Sequence, residues 1–309
     1  MLACAGPAGA SQLLIRNASN ITLAVNGSDT ALVTYSVRGR VTHLLAWGAV
    51  NARRRPSSPQ IKQVAFKLDY SGGWLHHRQT WTHFRNRCRP YDGPELAWLV
   101  AACTAPDGSY WALQSWQTAL PDLGLAPWLA TQKTWWLHLS HWTGPLAKLE
   151  VYTDWIYGGR FQEVFGRYTY RGVGIRGFGT THVGAPTDGY GRLLFLDTYN
   201  SSYGPGWLRE NSFVSHGPPG MFCYGFYARN PWVGGYAHPG STPNRKRGPG
   251  TGELYRITAP GPGVTPDVMW QGPGLHPYNR NNPGDVQLEN QMNAERNAIR
   301  GRYGKCAHN

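Results

Sequence analysis

TWWLHLSHWTG, residues 134–144, places three tryptophans and two histidines in eleven positions. Aromatic residues in such a run favour a pleated strand, and a strand sends successive side chains to opposite faces. One face then carries Trp135, Leu137, Leu139 and His141; the other carries Trp136, His138, Ser140 and Trp142. The two histidines point apart, so they cannot share one metal ion from a regular strand, and no metal is expected. The next segment, AKLEVYTDWIY (147–157), alternates as well. A hairpin through Thr143-Gly144-Pro145-Leu146 that joins like faces pairs Leu139 with Val151. That register sets His138 beside Tyr152, Trp136 beside Asp154 and Ser140 beside Glu150. Trp136, His138, Glu150, Tyr152 and Asp154 thereby form a candidate ligand face. Aromatic faces stack on sugar rings, and imidazole and carboxylate groups hydrogen-bond hydroxyls. The alternative is that this face packs under another layer with Trp136 buried, as tryptophans often are.

Working outward, the composition suits many short strands. Gly (39) and Pro (23) are abundant, and charged residues are only 15%. Long helices need more Ala, Leu, Glu and Lys. Residues 31–50 read as a hairpin turning at Arg38-Gly39-Arg40. Further strands are expected at 61–70, 95–104, 109–117, 148–157, 162–171, 173–180, 192–198, 211–215, 221–228 and 254–259. Residues 285–301 form the one convincing helix, with an apolar stripe of Val286, Leu288, Met292 and Ile299 and a stop at Gly301. The fold class is mainly β, an antiparallel sandwich or jelly roll with a C-terminal helix. Residues 1–30 are read as an export-signal remnant and N-terminal arm. Residues 31–309 form a single large β domain, and residues 118–133 are where it would divide. No internal repeat is visible.

The formal net charge is +13. A positive surface attracts anionic polymers, so a polysaccharide or an anionic cell-envelope polymer is a candidate partner; the alternative is that the arginine runs, which sit beside Pro or Gly, are only loop composition. No nucleic-acid recognition motif accompanies the charge, and nucleic acid is not expected. Cysteines at 4, 88, 103, 223 and 306 lack the spacing of a zinc site. Bridges Cys88–Cys103 and Cys223–Cys306 are expected. Ala8-Gly9-Ala10 fits a signal-peptidase site, and cleavage after it would remove Cys4 and leave an even four. An oxidising, extracellular or cell-envelope location follows. No stretch is apolar and long enough for a membrane helix.

No nucleophile elbow, zinc-protease or phosphate-loop motif occurs, and no cofactor is expected. The acids that could serve glycan hydrolysis or lysis are Asp197, ending RLLFLDT, and Glu210, in YGPGWLRENSF. The reading is therefore a non-catalytic carbohydrate-binding protein. A glycan-active enzyme and a structural surface protein without a ligand are its alternatives. At HLSHWTGPLAKLEVYTDW (138–155), RENSFVSHGPPGMFCYGFY (209–227) and GPGVTPDVMWQGPG (261–274) the chain resembles a family of uncharacterised secreted proteins of high-GC bacteria. The resemblance spans about residues 30–306. It implies export and a β-rich fold, and transfers no functional residue.

Overall fold

The computed structural model describes residues 11–51, 65–73, 81–118, 134–159, 161–175, 179–180, 186–187, 197–200, 207–209, 219–230, 235–236, 254–304 and 306. In chain order the first strands are β1 (Gln12–Arg16), β2 (Ser19–Val25), β3 (Ala31–Val37), β4 (Arg40–Gly48), β5 (Phe66–Asp69), β6 (Leu99–Thr104), β7 (Tyr110–Thr118) and β8 (Thr134–Trp142). They continue with β9 (Lys148–Ile156), β10 (Phe161–Tyr170), β11 (Val173–Gly174), β12 (Gly179–Thr180), β13 (Pro186–Thr187), β14 (Asp197–Asn200), β15 (Trp207–Arg209) and β16 (Met221–Asn230). The last are β17 (Gly235–Tyr236), β18 (Leu254–Ala259) and β19 (Val268–Pro273), followed by helix α1 (Pro283–Arg300). The fold is mainly antiparallel β with a C-terminal helix, as the sequence implies.

Two four-stranded sheets make the first half, in the orders β1-β8-β7-β6 and β2-β3-β4-β5. Their facing side chains share one core. Leu113, Trp111, Leu137 and Leu139 from one sheet meet Val33, Tyr35, Leu44 and Ala46 from the other. This is a sandwich: each sheet hides its apolar face on its neighbour. The β3–β4 turn uses Arg38 and Gly39, both in the left-handed region (φ 49° and 77°), which matches the twist of a two-residue hairpin.

The second half is built on β11-β10-β16-β15, with β9 alongside β10. One face of this sheet packs Val164, Tyr168 and Phe222 against Tyr255, Ile257 and Ala259 of the β14-β18-β19 sheet. The other face packs Phe165 and Met221 against Met292, Leu288 and Ile299 of α1, three of the four residues of the anticipated helix stripe, with Met292 buried and the other two partly so. Gly166 is needed for the close β9–β10 approach, because a Cβ would stand 1.8 Å from the Glu150 carbonyl oxygen. Asn282 caps α1 by accepting from the Gly284 amide at 3.0 Å, and the Gly301 amide donates to the Asn297 carbonyl.

Two expectations are corrected. Residues 11–30 of the segment read as an N-terminal arm are part of the sandwich: they contribute β1 and β2, one to each sheet; residues 1–10 lie outside the described residues. The hairpin joining residues 134–142 to 148–157 does not form either. A strand has two hydrogen-bonding edges. On β8 one is taken by β7, where His138 stands opposite Gln114, and the other by β1, where it stands opposite Leu13. No edge is left for β9, which turns through Tyr157-Gly158-Gly159 and pairs with β10 from Ile156↔Phe161 onward.

Both expected disulfides are present. Cys88–Cys103 links the approach to β6 with its end, Cα atoms 5.4 Å apart; Cys223–Cys306 ties β16 to the segment after α1, Cα atoms 5.9 Å apart. No helix among the described residues is long and apolar enough to cross a membrane.

Candidate functional site

The five residues proposed as one ligand face divide between two sheets. Trp136 and His138 lie on β8; Glu150, Tyr152 and Asp154 lie on β9. The alternation along β8 is as read: Leu137, Leu139 and His141 face the sandwich core, and Trp136 and His138 face away from it. That second face is covered. Gly261–Asp267, the segment between β18 and β19, crosses it and delivers Asp267 beside His138. His138 Nδ1 lies 2.6 Å from Ser11 Oγ and 3.1 Å from Asp267. Asp267 also accepts from Ser11 Oγ, Trp116 Nε1 and the Gly261 amide at 2.6–3.0 Å. Burial opposes ionisation of Asp267, yet His138 and these donors outweigh it and hold the carboxyl below its ordinary range. Ser11, His138 and Asp267 are the residue types of a hydrolase triad, but Ser11 and Asp267 both contact the same ring nitrogen. His138 Nε2 is buried with no hydrogen-bond partner among the described residues. The arrangement is a structural knot, not a relay.

On β9, Asp154 is fully buried and paired with Arg296 of α1, which also bonds Glu163 at 2.9 Å. Burial pushes the Asp154 carboxyl up to about 6, against the pull of Arg296. Glu150 is bound by Arg167 of β10 and by Lys148 at 2.7 Å; the Arg167 bond holds it down to about 2. Tyr152 stacks on Phe165, ring centroids 5.4 Å apart, beneath α1. Each of these side chains is committed to packing or ion pairing. The ligand face therefore dissolves with the hairpin that defined it. Asp197 opens β14 opposite Thr258. Glu210 lies outside the described residues, so the hydrolase pair goes no further.

An open site occurs elsewhere, where β1 meets the tip of the β3–β4 hairpin. Ile15, Arg16, Asn17, Val37, Arg38, Arg40, Val41 and Thr42 line a groove of about 840 Å³. Arg16, Arg38 and Arg40 are all exposed, and Val41 is 60% exposed. None of the three arginines has a carboxylate partner among the described residues, and no acid lines the groove. Arg16 lies over the Trp136 ring at 5.4 Å. The half-exposed Trp135 is joined to Asn17 by two hydrogen bonds, at 2.7 and 3.0 Å. The groove thus offers three guanidinium groups without a carboxylate partner among the described residues, which can bind anions in two-point contacts. Arg38 and Arg40 are visible in the sequence as a basic hairpin turn. Arg16 was missed because β1 was not recognised as a strand.

One further cluster bears metal-ligand chemistry. Asp29, Asp107 and His141 bring a carboxylate oxygen each and a ring nitrogen within 4.8 Å of one another. Burial pushes the His141 ring down to about 4, partly offset by its bond to the Ala49 carbonyl and by Asp107. Asp29 is raised by its burial, while Asp107 is lowered, as hydrogen bonds from Ser109 and the nearby His141 overcome its desolvation.

No protein-family model, curated protein or solved structure matches the chain.

Proposed function

We propose that this is an exported binding protein that holds an anionic polysaccharide of the cell envelope or its surroundings in the arginine groove. The observation carrying the proposal is the set Arg16, Arg38 and Arg40, three exposed cations lining one groove without a countercharge among the described residues. Arginine forks bind carboxylate, sulfate and phosphate groups in two-point contacts, the groups an anionic polysaccharide carries. Two disulfides accord with an oxidising compartment. The net charge of +13 favours approach of a polyanion from a distance.

The test is retention on immobilised polygalacturonate across a salt gradient, with duplex DNA as competitor. The Arg16→Ala/Arg38→Ala/Arg40→Ala variant should lose retention, and its salt slope should fall by about one for each arginine that contacts the polymer. All three positions are exposed, so folding should be preserved. Unchanged retention rejects the groove. Preferential binding of DNA over polygalacturonate rejects the polysaccharide reading.

A further inference from the structure

At the opposite end of the sandwich the cores of the two sheets close over His141. The ring is fully buried and stacks on Trp111, centroids 3.8 Å apart. Its two nitrogens have different tasks. Nδ1 lies 2.7 Å from the Ala49 carbonyl, which can only accept, so Nδ1 carries the hydrogen. In a neutral ring Nε2 is then a bare lone pair. It points at Ser109 Oγ (2.8 Å) and at Asp29 Oδ2 (3.5 Å).

A proton inventory shows what is missing. Ser109 has one hydroxyl hydrogen, and Asp107 Oδ1 also lies 2.6 Å from that oxygen. Two acceptors therefore compete for one donor, and Asp29 Oδ2 stands beside them as a third. The other oxygen of Asp29 accepts from Trp111 Nε1 at 2.9 Å, which fixes the carboxylate in place. Neither aspartate has a lysine or arginine partner among the described residues, in a chain with thirteen more cationic than anionic side chains. Glu150, and Asp154 with Glu163, each hold a guanidinium, and the buried Asp267 is surrounded by donors from Ser11, Trp116, His138 and the Gly261 amide; Asp29 and Asp107 have neither a guanidinium nor a full set of donors among the described residues. An excess of lone pairs without a cation is the electrostatic outline of a metal site.

We propose that Asp29, Asp107 and His141 form a binding site for a first-row divalent cation of the zinc type. A neutral imidazole with two carboxylates is a donor set suited to Zn²⁺, and a backbone carbonyl on the far ring nitrogen is the usual support for a metal-bound histidine. Bonds of about 2.0–2.2 Å in a tetrahedron place ligand atoms about 3.4 Å apart. His141 Nε2 and Asp29 Oδ2 already stand at that separation. Asp107, exposed in the turn before β7, has only a short distance to close. Water from the open side completes the shell. The ligands come from the β2–β3 turn, the β6–β7 turn and β8, so the ion clips the two sheets together at this end. The arginine groove lies at the other end, and the two proposals stand or fall separately.

The test uses the whole oxidised chain, stripped with chelator, and Zn²⁺ alone as the probe. Calorimetry should show one Zn²⁺ bound per chain and a raised Tm. Asp107→Asn keeps the side-chain oxygen that accepts in the turn, and it should weaken binding at least about ten-fold with the unliganded Tm unchanged. Asp29→Asn should do the same. Co²⁺ should bind with the visible absorption of a tetrahedral site. No Zn²⁺ binding, binding that survives the Asp29→Asn/Asp107→Asn double variant, or displacement of Zn²⁺ by an equal concentration of Ca²⁺ would each overturn the proposal.

Discussion

Each half of the molecule buries a charged knot, and the two knots are built with opposite polarity. In the first half an anion sits at the centre: Asp267 is surrounded by donors from Ser11, Trp116, His138 and the Gly261 amide. In the second half a cation sits at the centre: Arg296 of α1 lies over the Phe165 ring at 4.5 Å and serves Asp154, Glu163 and Asn293. The anion is satisfied several times over. The cation is stretched, since one guanidinium faces two carboxylates, and Arg296 Nε and Asp154 Oδ1 have no hydrogen-bond partner among the described residues. A buried charge is tolerated only when its surroundings replace the water it lost. The first half achieves this by directed hydrogen bonds. The second leaves an electrostatic debt that a proton can settle.

That difference predicts unequal responses to removing the central group. Asp267→Ala strands a serine, an indole and a backbone amide, neutral donors that cannot relieve the loss by exchanging a proton. It should cost about 4–5 kcal/mol at pH 7. Arg296→Met strands two carboxylates that can take up protons, so it should cost about 3 kcal/mol at pH 7 and less at pH 5. Urea unfolding at both pH values checks this. Equal, pH-independent losses would erase the distinction between the knots.

The disulfides draw the same line between the halves. Cys88–Cys103 closes 15 residues within one edge of the sandwich; Cys223–Cys306 closes 83 and holds the end of α1 against the second sheet. Chain entropy predicts about 3 kcal/mol for the first and about 4.5 kcal/mol for the second. Replacing each pair by serine and comparing unfolding midpoints gives the order. The second replacement should also raise exchange rates of the α1 amides selectively, because it frees the segment behind the helix. A larger loss from the Cys88/Cys103 pair would mean that the sandwich edge, not the helix clasp, is the weaker closure.

What was legible in the sequence was local. The alternation in residues 134–142 assigned the faces of β8 correctly, because the period of a strand is a property of each residue and its neighbours. The helix was readable from Gly301 and the stripe through Leu288, Met292 and Ile299, although its start at Pro283 precedes the expected 285. Both cysteine pairings were anticipated from their placement near strands and chain end. The partner of β8 was not legible. It depended on QLLIR (12–16), five residues that look unremarkable until they occupy an edge of the sheet. The same applies to the sites. Asp29 is 112 positions from His141, and Asp267 is 129 from His138. Such groups are brought together by sheet stacking and by one crossing segment, which no spacing rule describes. Arg38-Gly39-Arg40 was readable as a turn, but its role needed Arg16 from a strand that had gone unrecognised.

The smallest effect is the most specific to the comparison. The folded pKa of Asp154, about 6, lies above its ordinary value of 3.8. Between those values the native state holds a proton that the unfolded chain releases. Its contribution is therefore fully present below about pH 4 and is lost as pH rises through about 6. Asp267 is depressed, so its contribution has the opposite sense: present above about pH 4 and lost on further acidification. Other titrating groups overlap this range, and they cancel in the difference between wild type and Asp154→Asn. That difference should move against the wild type by no more than about 1 kcal/mol per pH unit between pH 4 and pH 6, and be flat from pH 7 to pH 8. Urea midpoints at five pH values measure it. A flat difference throughout would mean that Asp154 stays ionised beside Arg296 down to its ordinary range, and that both knots are fully compensated ions of opposite sign.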